Sequence, residues 1–111
     1  MVRHEIELGG KRRPIRFGFG ALMLFEENTG ANISDFFSKM ATGDFKIRML
    51  IELIYAGLKN GARANGEQFD ADVMTIADWV DEAQAEGRDV LTEVVKFVEG
   101  SMATEGGKKK A

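Results

Sequence analysis

The chain has 111 residues, of which 44% are hydrophobic, contains no cysteine and carries a formal net charge of −3. The length predicts a single domain, and the absence of cysteine excludes disulfides and thiolate chemistry. The most apolar segment, residues 49–58, is about half as long as the roughly twenty residues of a membrane span, and the N-terminus does not resemble a signal peptide, so we expect a soluble protein.

Charge is distributed unevenly along the chain. Residues 1–16 carry five Lys and Arg against two Glu, whereas residues 67–105 carry eleven Asp and Glu against two Lys and Arg. Non-specific binding of nucleic acid requires a basic face. The acidic body therefore argues against nucleic acid as a partner, although the short basic segment keeps a small DNA-binding regulator as an alternative.

The N-terminal residues predict a β-hairpin. Residues 2–8 and 11–17 both alternate between polar and apolar side chains, and Gly9-Gly10 between them is a two-residue turn signal. Pro14 lacks a backbone N–H, which favours an edge position in a sheet. Because two strands alone are marginally stable in water, we expect the hairpin to pack on the helices that follow.

The next apolar patterns predict three helices. The first spans residues 20–29, and Gly30 is placed as its left-handed C-cap. A short second helix begins with Ser34 as its N-cap. The third, capped by Asp44, extends to about Asn60 and is apolar around most of its circumference, which predicts a buried central helix.

The second half of the chain predicts two further helices. Residues 59–67 are rich in Gly and Asn and indicate a loop. Asp70 or Asp72 then caps a fourth helix, which Gly87 ends, and a fifth helix covers residues 88–103.

Together these elements predict an α+β fold that is mainly α, with an N-terminal β-hairpin followed by a bundle of four to five helices. We expect one domain over residues 1–103. The last residues, 104–111 (TEGGKKKA), contain no apolar anchor and are predicted to form a disordered basic tail.

The segment Gly18-Phe19-Gly20 is an incomplete match to a phosphate-binding loop. A dinucleotide fingerprint would need a third glycine where Met23 stands, and a P-loop would need a Gly-Lys-Ser/Thr ending. We interpret the two glycines as the bend between a strand and the first helix.

The remaining polar residues do not predict catalysis. His4, the one histidine, lies in a strand among charged neighbours, and Asp70-Ala71-Asp72 lacks the glycine and distal glutamate of a calcium loop. We therefore predict that the protein is not an enzyme and has no catalytic residue, no cofactor and no metal site.

Several large side chains fall outside the predicted core stripes, and they are either core or an interaction surface. The apolar candidates for partner binding are Phe36, Trp79, Val90 and Phe97. Opposite charges on the hairpin and the acidic helices would also suit head-to-tail contacts between copies of the chain. The residues expected to carry that self-association are Lys11, Arg12, Arg13, Asp78, Asp81 and Glu82.

The order of these segments resembles that of the tail assembly chaperones of long-tailed bacteriophages and prophages. A hairpin leads into RFGFGALMLFEENTG, then ISDFFSKMATGDF, an LIYAGLK helix, the acidic ADVMTIADWVDEA and a closing helix. The resemblance covers residues 6–102, and its strongest parts are the strand end that runs into ALMLFEENTG and the step Tyr55-Ala56-Gly57-Leu58.

This resemblance implies a non-enzymatic role in the cytoplasm of a bacterial host. Such chaperones bind the tape-measure protein, keep it soluble and recruit tail-tube subunits, and they are absent from the finished virion. The DNA-binding regulator stays open as an alternative. A third alternative is a structural virion component, such as a head–tail connector or a tail-completion protein.

Overall fold

A computed structural model describes the backbone of residues 4–110 and the side chains of residues 4–100. An antiparallel hairpin precedes five helices, which confirms the predicted α+β, mainly α fold. The elements are β1 (His4–Leu8), β2 (Lys11–Ile15), α1 (Phe19–Thr29), α2 (Ile33–Thr42), α3 (Ile47–Ala64), α4 (Val73–Ala85) and α5 (Val90–Lys110).

The hairpin forms as its alternating pattern predicts. Leu8 pairs with Lys11 across the turn, and Gly9 and Gly10 have φ angles of 65° and 82°. Positive φ at both central residues is the requirement of the tight turn that matches the twist of paired strands. One face of the hairpin is buried and supplies Ile6, Leu8 and Ile15 to the core.

Helix α3 is the buried centre of the domain, and two glycines let the hairpin lie directly on it. The backbone N–H of Arg16 donates to the Gly57 carbonyl oxygen at 3.0 Å. A Cβ atom on Gly57 would lie 2.6 Å from the Phe17 ring, and one on Gly61 would lie 2.5 Å from the Pro14 carbonyl oxygen. The hairpin therefore contacts the α3 backbone at a distance that no larger residue permits.

The prediction of a loop over residues 59–67 is wrong for most of that range, because α3 continues to Ala64. Asn60 is 2% exposed, donates from its side-chain amide to the Arg16 carbonyl oxygen at 3.2 Å, and accepts from the Arg63 guanidinium at 2.6 Å. A Cβ on Gly20 would approach the Asn60 Oδ1 atom to 2.6 Å. Asn60 and Gly61, which indicated a loop, therefore lie within a helix and allow it to pack closely against its neighbours.

We expect Asn60→Ala to destabilise the domain by about 1–3 kcal/mol, because it leaves the Arg16 carbonyl without its side-chain donor in a buried place. Urea unfolding followed by circular dichroism measures the change. Asn65→Ala is the matched control, since Asn65 is exposed and its side chain donates to the nearby Glu67, while its backbone bonds are kept by alanine. It should change stability by less than about 0.5 kcal/mol. Equal losses in the two variants would contradict the role assigned to Asn60.

The helix ends follow local capping, with two corrections to the predicted caps. Asn32, not Ser34, caps α2, because its side chain accepts from the N–H groups of Ser34 and Asp35. Helix α3 begins at Ile47 without a side-chain cap, so Asp44 does not start it. Asp72 caps α4 by accepting from the Thr75 N–H at 2.9 Å, and this settles the choice between the two predicted aspartates.

Gly18 and Gly20 lie at the bend between β2 and α1, as predicted. Gly18 is the N-cap of α1, and Gly30 ends the same helix in the left-handed conformation, with a φ of 73°. Helix α5 extends to Lys110. The side chains of residues 101–111 lie outside the described residues, and the disorder of the segment 104–111 stays a prediction.

The cap of α4 makes stability depend on pH. Hydrogen bonds from the backbone and hydroxyl of Thr75 lower the pKa of Asp72 from its ordinary value of 3.8. A lowered folded-state pKa contributes stability that is present above pH of about 3.8 and is lost as the pH falls through the folded pKa. We expect Asp72→Asn, which keeps an acceptor but cannot titrate, to flatten the fall of Tm on acidification. An unchanged acid slope in thermal melts would contradict this.

Candidate interaction surface

Trp79, one of the predicted partner-binding residues, lies half-buried beneath the hairpin turn. The guanidinium carbon of Arg13 stands 4.0 Å from the centre of its ring, and a Cβ on Gly9 would come within 2.5 Å of the indole. Arg13 also donates from Nε to the Leu8 carbonyl oxygen at 2.7 Å. Burial lowers the pKa of Arg13. Trp79 therefore anchors the hairpin to α4, and only part of its ring is left for a partner.

Arg88 ties the same corner of the domain to α5. Its Nη1 donates to the Glu7 carbonyl oxygen at 2.5 Å, and its Nη2 donates to a Glu93 carboxylate oxygen at 2.7 Å. The hydrogen bond to Glu93 raises the pKa of Arg88. The segment between α4 and α5 is thus clamped to β1 by one side chain.

Some of the predicted self-association residues make contacts within a single chain. Arg12 pairs with Glu5 at 3.0 Å, and Arg13 is stacked on Trp79. Of the predicted acidic partners, Glu82 lines a shallow depression beside the same hairpin turn. Basic and acidic residues that were expected to meet between copies therefore lie at one corner of a single chain. Lys11, Asp78 and Asp81 are exposed, and head-to-tail association stays a prediction.

Two predicted partner-binding residues pack in the core, which is one of the two alternatives that the sequence left open for them. Val90 is 0% exposed. Phe36 is 3% exposed and packs against Phe25 with ring centres 4.9 Å apart. Val90 therefore offers no surface to a partner, and Phe36 offers only a small part of its ring. Phe97 is half-buried, with its ring 4.8 Å from that of His4, so part of it stays accessible.

The large apolar side chains that are exposed are different ones, and the sequence analysis missed them. Phe19 is 74% exposed and Met23 is 69% exposed. They stand four residues apart on α1 and so share one face of that helix. Ile47 and Met74 are exposed to a similar degree on α3 and α4. The four-residue spacing of Phe19 and Met23 could have revealed this exposed face. The predicted helix began at residue 20 and therefore left Phe19 out.

Met23 borders a groove of about 700 Å³ that we name the α1 groove. Helix α1 forms one wall, and the end of α3 with the segment before α4 forms the other. Leu24 and Phe69 provide further apolar surface. The full lining consists of Gly20, Met23, Leu24, Glu27, Lys59, Arg63, Glu67, Gln68, Phe69 and Asp70.

The charges around the α1 groove are not equivalent. Lys59 donates to the Phe69 carbonyl oxygen at 3.4 Å, and Arg63 donates to Asn60 at 2.6 Å. Glu27 and Asp70 are exposed, and within residues 4–100 neither carboxylate forms an ion pair. The lining also includes Glu67, which accepts from the Asn65 side-chain amide at 3.3 Å, so it carries three acids against two bases and has an acidic excess of one charge.

A second groove, of about 680 Å³, lies between the ends of α1 and α2 and the start of α3. Phe45 and Met49 supply apolar surface there, and its charged lining mixes both signs, namely Asp35, Lys39, Asp44 and Lys46. Within the described part of the chain, no helix is long and apolar enough to cross a membrane. In that same part, no group of three or more His, Cys, Asp or Glu could hold a metal ion.

Comparison with known proteins assigns the chain to a family. The family model described as phage tail tube protein, GTA-gp10, matches residues 2–96, which is most of the chain. No curated protein and no solved structure matches. The match confirms the part of the resemblance that concerns phage tails, and it does not address the chaperone role. The chain belongs to the phage tail tube protein family typified by GTA-gp10.

Proposed function

We propose that the chain is a non-enzymatic tail assembly chaperone, which binds the tape-measure protein, keeps it soluble and recruits tail-tube subunits. Membership of a phage tail family supports a role in tail structure or assembly. The resemblance of residues 6–102 to tail assembly chaperones supports the finer assignment.

The observation that carries this proposal is the set of large apolar side chains left in solvent. Phe19, Ile47, Met74 and Met23 are each at least two-thirds exposed, on three different helices. Exposed apolar side chains that are scattered singly are ordinary, whereas neighbouring ones such as Phe19 and Met23 mark an interaction surface. A long helix-rich tape measure needs such cover before the tube encloses it, and grooves between helices are suited to helical ligands.

Co-expression tests the proposal. The long helix-rich protein encoded beside the native gene is produced with and without this chain, and its soluble fraction is measured after affinity purification of the chain. We expect the long protein to become soluble and to be purified with several copies of the chain. If it stays insoluble and the chain elutes alone, the chaperone function is wrong.

A second candidate is a structural subunit of the tail, because the description of the matched family is that of a tail tube protein. A tube subunit at high concentration would form rings or tubes by itself, which electron microscopy of the purified chain would reveal. We expect discrete small particles instead. The family gives no support to the DNA-binding alternative, and Arg12 and Arg13 of the hairpin are engaged within the chain.

A further inference from the structure

We propose that the α1 groove binds an amphipathic helix whose apolar stripe is flanked by lysine or arginine. The inference rests on the proposed function for the identity of the natural partner, and it adds the binding site and the chemistry of the bound segment. The groove is formed by residues that neither the predicted partner-binding set nor the predicted self-association set contains.

The apolar part of the groove fits a row of large side chains. Met23 is 69% exposed and lies on the groove wall, with Leu24 and Phe69 beside it. Phe19 stands one helical turn before Met23 and is 74% exposed. Apolar side chains spaced three or four residues apart on a partner helix would cover this surface and remove it from water.

The walls of the groove favour a helix over an extended segment. They consist of α1, the end of α3 and the residues before α4, and none of these is a strand. An extended segment gains affinity by pairing its backbone with a free strand edge, which this groove does not offer. A helix satisfies its own backbone hydrogen bonds and needs only side-chain contacts.

The rim charges specify basic flanks. The lining of the groove carries three acids, Glu27, Glu67 and Asp70, against two bases, Lys59 and Arg63. Glu27 and Asp70 are exposed without an ion pair in residues 4–100. Lysine or arginine beside the apolar stripe of the partner would pair with the two carboxylates, and acidic flanks would face them with like charge.

Two synthetic helical peptides with the same apolar stripe test this directly. One peptide carries lysine flanks and the other carries glutamate flanks, and binding to the full chain is measured by fluorescence anisotropy at low and high salt. We expect the lysine peptide to bind at least about tenfold tighter at low salt, with the difference shrinking as salt screens the charges. Equal affinities for the two peptides, or tighter binding of the glutamate peptide, would overturn the proposed charge recognition.

Substitutions locate the site. We expect Met23→Ser to weaken binding of the lysine peptide at least about tenfold. Leu91→Ser is the control, because Leu91 is an exposed apolar residue of α5 outside the groove, and it should leave binding unchanged. Thermal melts of both variants exclude unfolding as the cause. Unchanged binding by Met23→Ser would overturn the inference. It would also be overturned if the peptides fail to bind and the wild-type chain forms a dimer that Met23→Ser converts to a monomer.

The outcomes separate this inference from the proposed function. Solubilisation of the tape measure by both wild type and Met23→Ser would keep the chaperone role and reject the α1 groove as its site. Specific binding of the lysine peptide together with failure of co-expression would support the groove and reject the tape measure as the partner.

Discussion

Gly61→Ala is expected to destabilise the domain by about 2–3 kcal/mol, near the upper end of the usual cost of overpacking. The added Cβ would lie 2.5 Å from the Pro14 carbonyl oxygen and 2.7 Å from its carbon. Both are backbone atoms, so the hairpin must move away from α3 to accommodate the methyl group. For a domain of this size, Tm should fall by roughly 10 °C or more.

The matched control for this variant is Gly100→Ala. Gly100 is also in a helix, but among the described side chains a Cβ there would come nearest to His4 Nε2, at 3.9 Å, which is an ordinary contact. Alanine favours a helix over glycine by up to about 1 kcal/mol, so this variant should keep or slightly raise Tm. A Gly61→Ala protein as stable as the wild type would show that the hairpin does not lie against the α3 backbone.

Phe25→Ala should have the largest effect on stability, a loss of about 3–5 kcal/mol, because it removes a fully buried aromatic ring and leaves a cavity. Phe25 is 0% exposed and contacts the Phe36 ring. The side chain joins α1 to α2, so its loss should loosen the helix that forms one wall of the α1 groove. Urea unfolding gives the free energy, and peptide binding tests the loosening.

Met23→Ala on the opposite face of the same helix is the control for Phe25→Ala. Met23 is 69% exposed, so its truncation should change the free energy of unfolding by less than about 0.5 kcal/mol. The two variants thus separate the faces of α1, since one should lose stability and the other should lose only partner binding. Similar losses of stability from both would contradict the assigned orientation of the helix.

The sequence predicts the elements of the fold well, because each is marked by local chemistry. Gly9-Gly10 specifies the turn, the alternating strands specify the buried face of the hairpin, and Gly30 and Asp72 mark helix ends. The end of α3 could not be predicted in this way. Gly61, with Asn60 and Asn65 beside it, indicates a loop when it is considered locally, and only contact with β2 explains why it lies within a helix.

The candidate surface was harder to predict than the fold. Phe36 and Val90 were left outside the core stripes because their helices carry apolar residues on two sides, and the side that holds them is the one that packs into the core. Helix α1 presents the reverse case. Its apolar residues also occupy two faces, and only the position of α3 decides that Phe25 is buried while Phe19 and Met23 are exposed.

Some of the charged residues make contacts within the chain, which the sequence did not predict. The basic hairpin and the acidic helices were expected to attract other copies of the chain. Arg13 also stacks on Trp79, and Arg88 donates to the Glu7 carbonyl oxygen and pairs with Glu93, so part of this charge makes contacts within the chain. Association between copies stays a prediction. Complementary charge along a sequence does not distinguish contacts within a chain from contacts between chains.

The most direct test of the chaperone role is the protein content of purified tails compared with that of the lysate from which they assemble. Quantitative mass spectrometry should find the chain in the lysate, bound to the tape measure, and should not find it in finished particles. Stoichiometric amounts of the chain in finished tails would contradict the account and would identify it as a structural subunit.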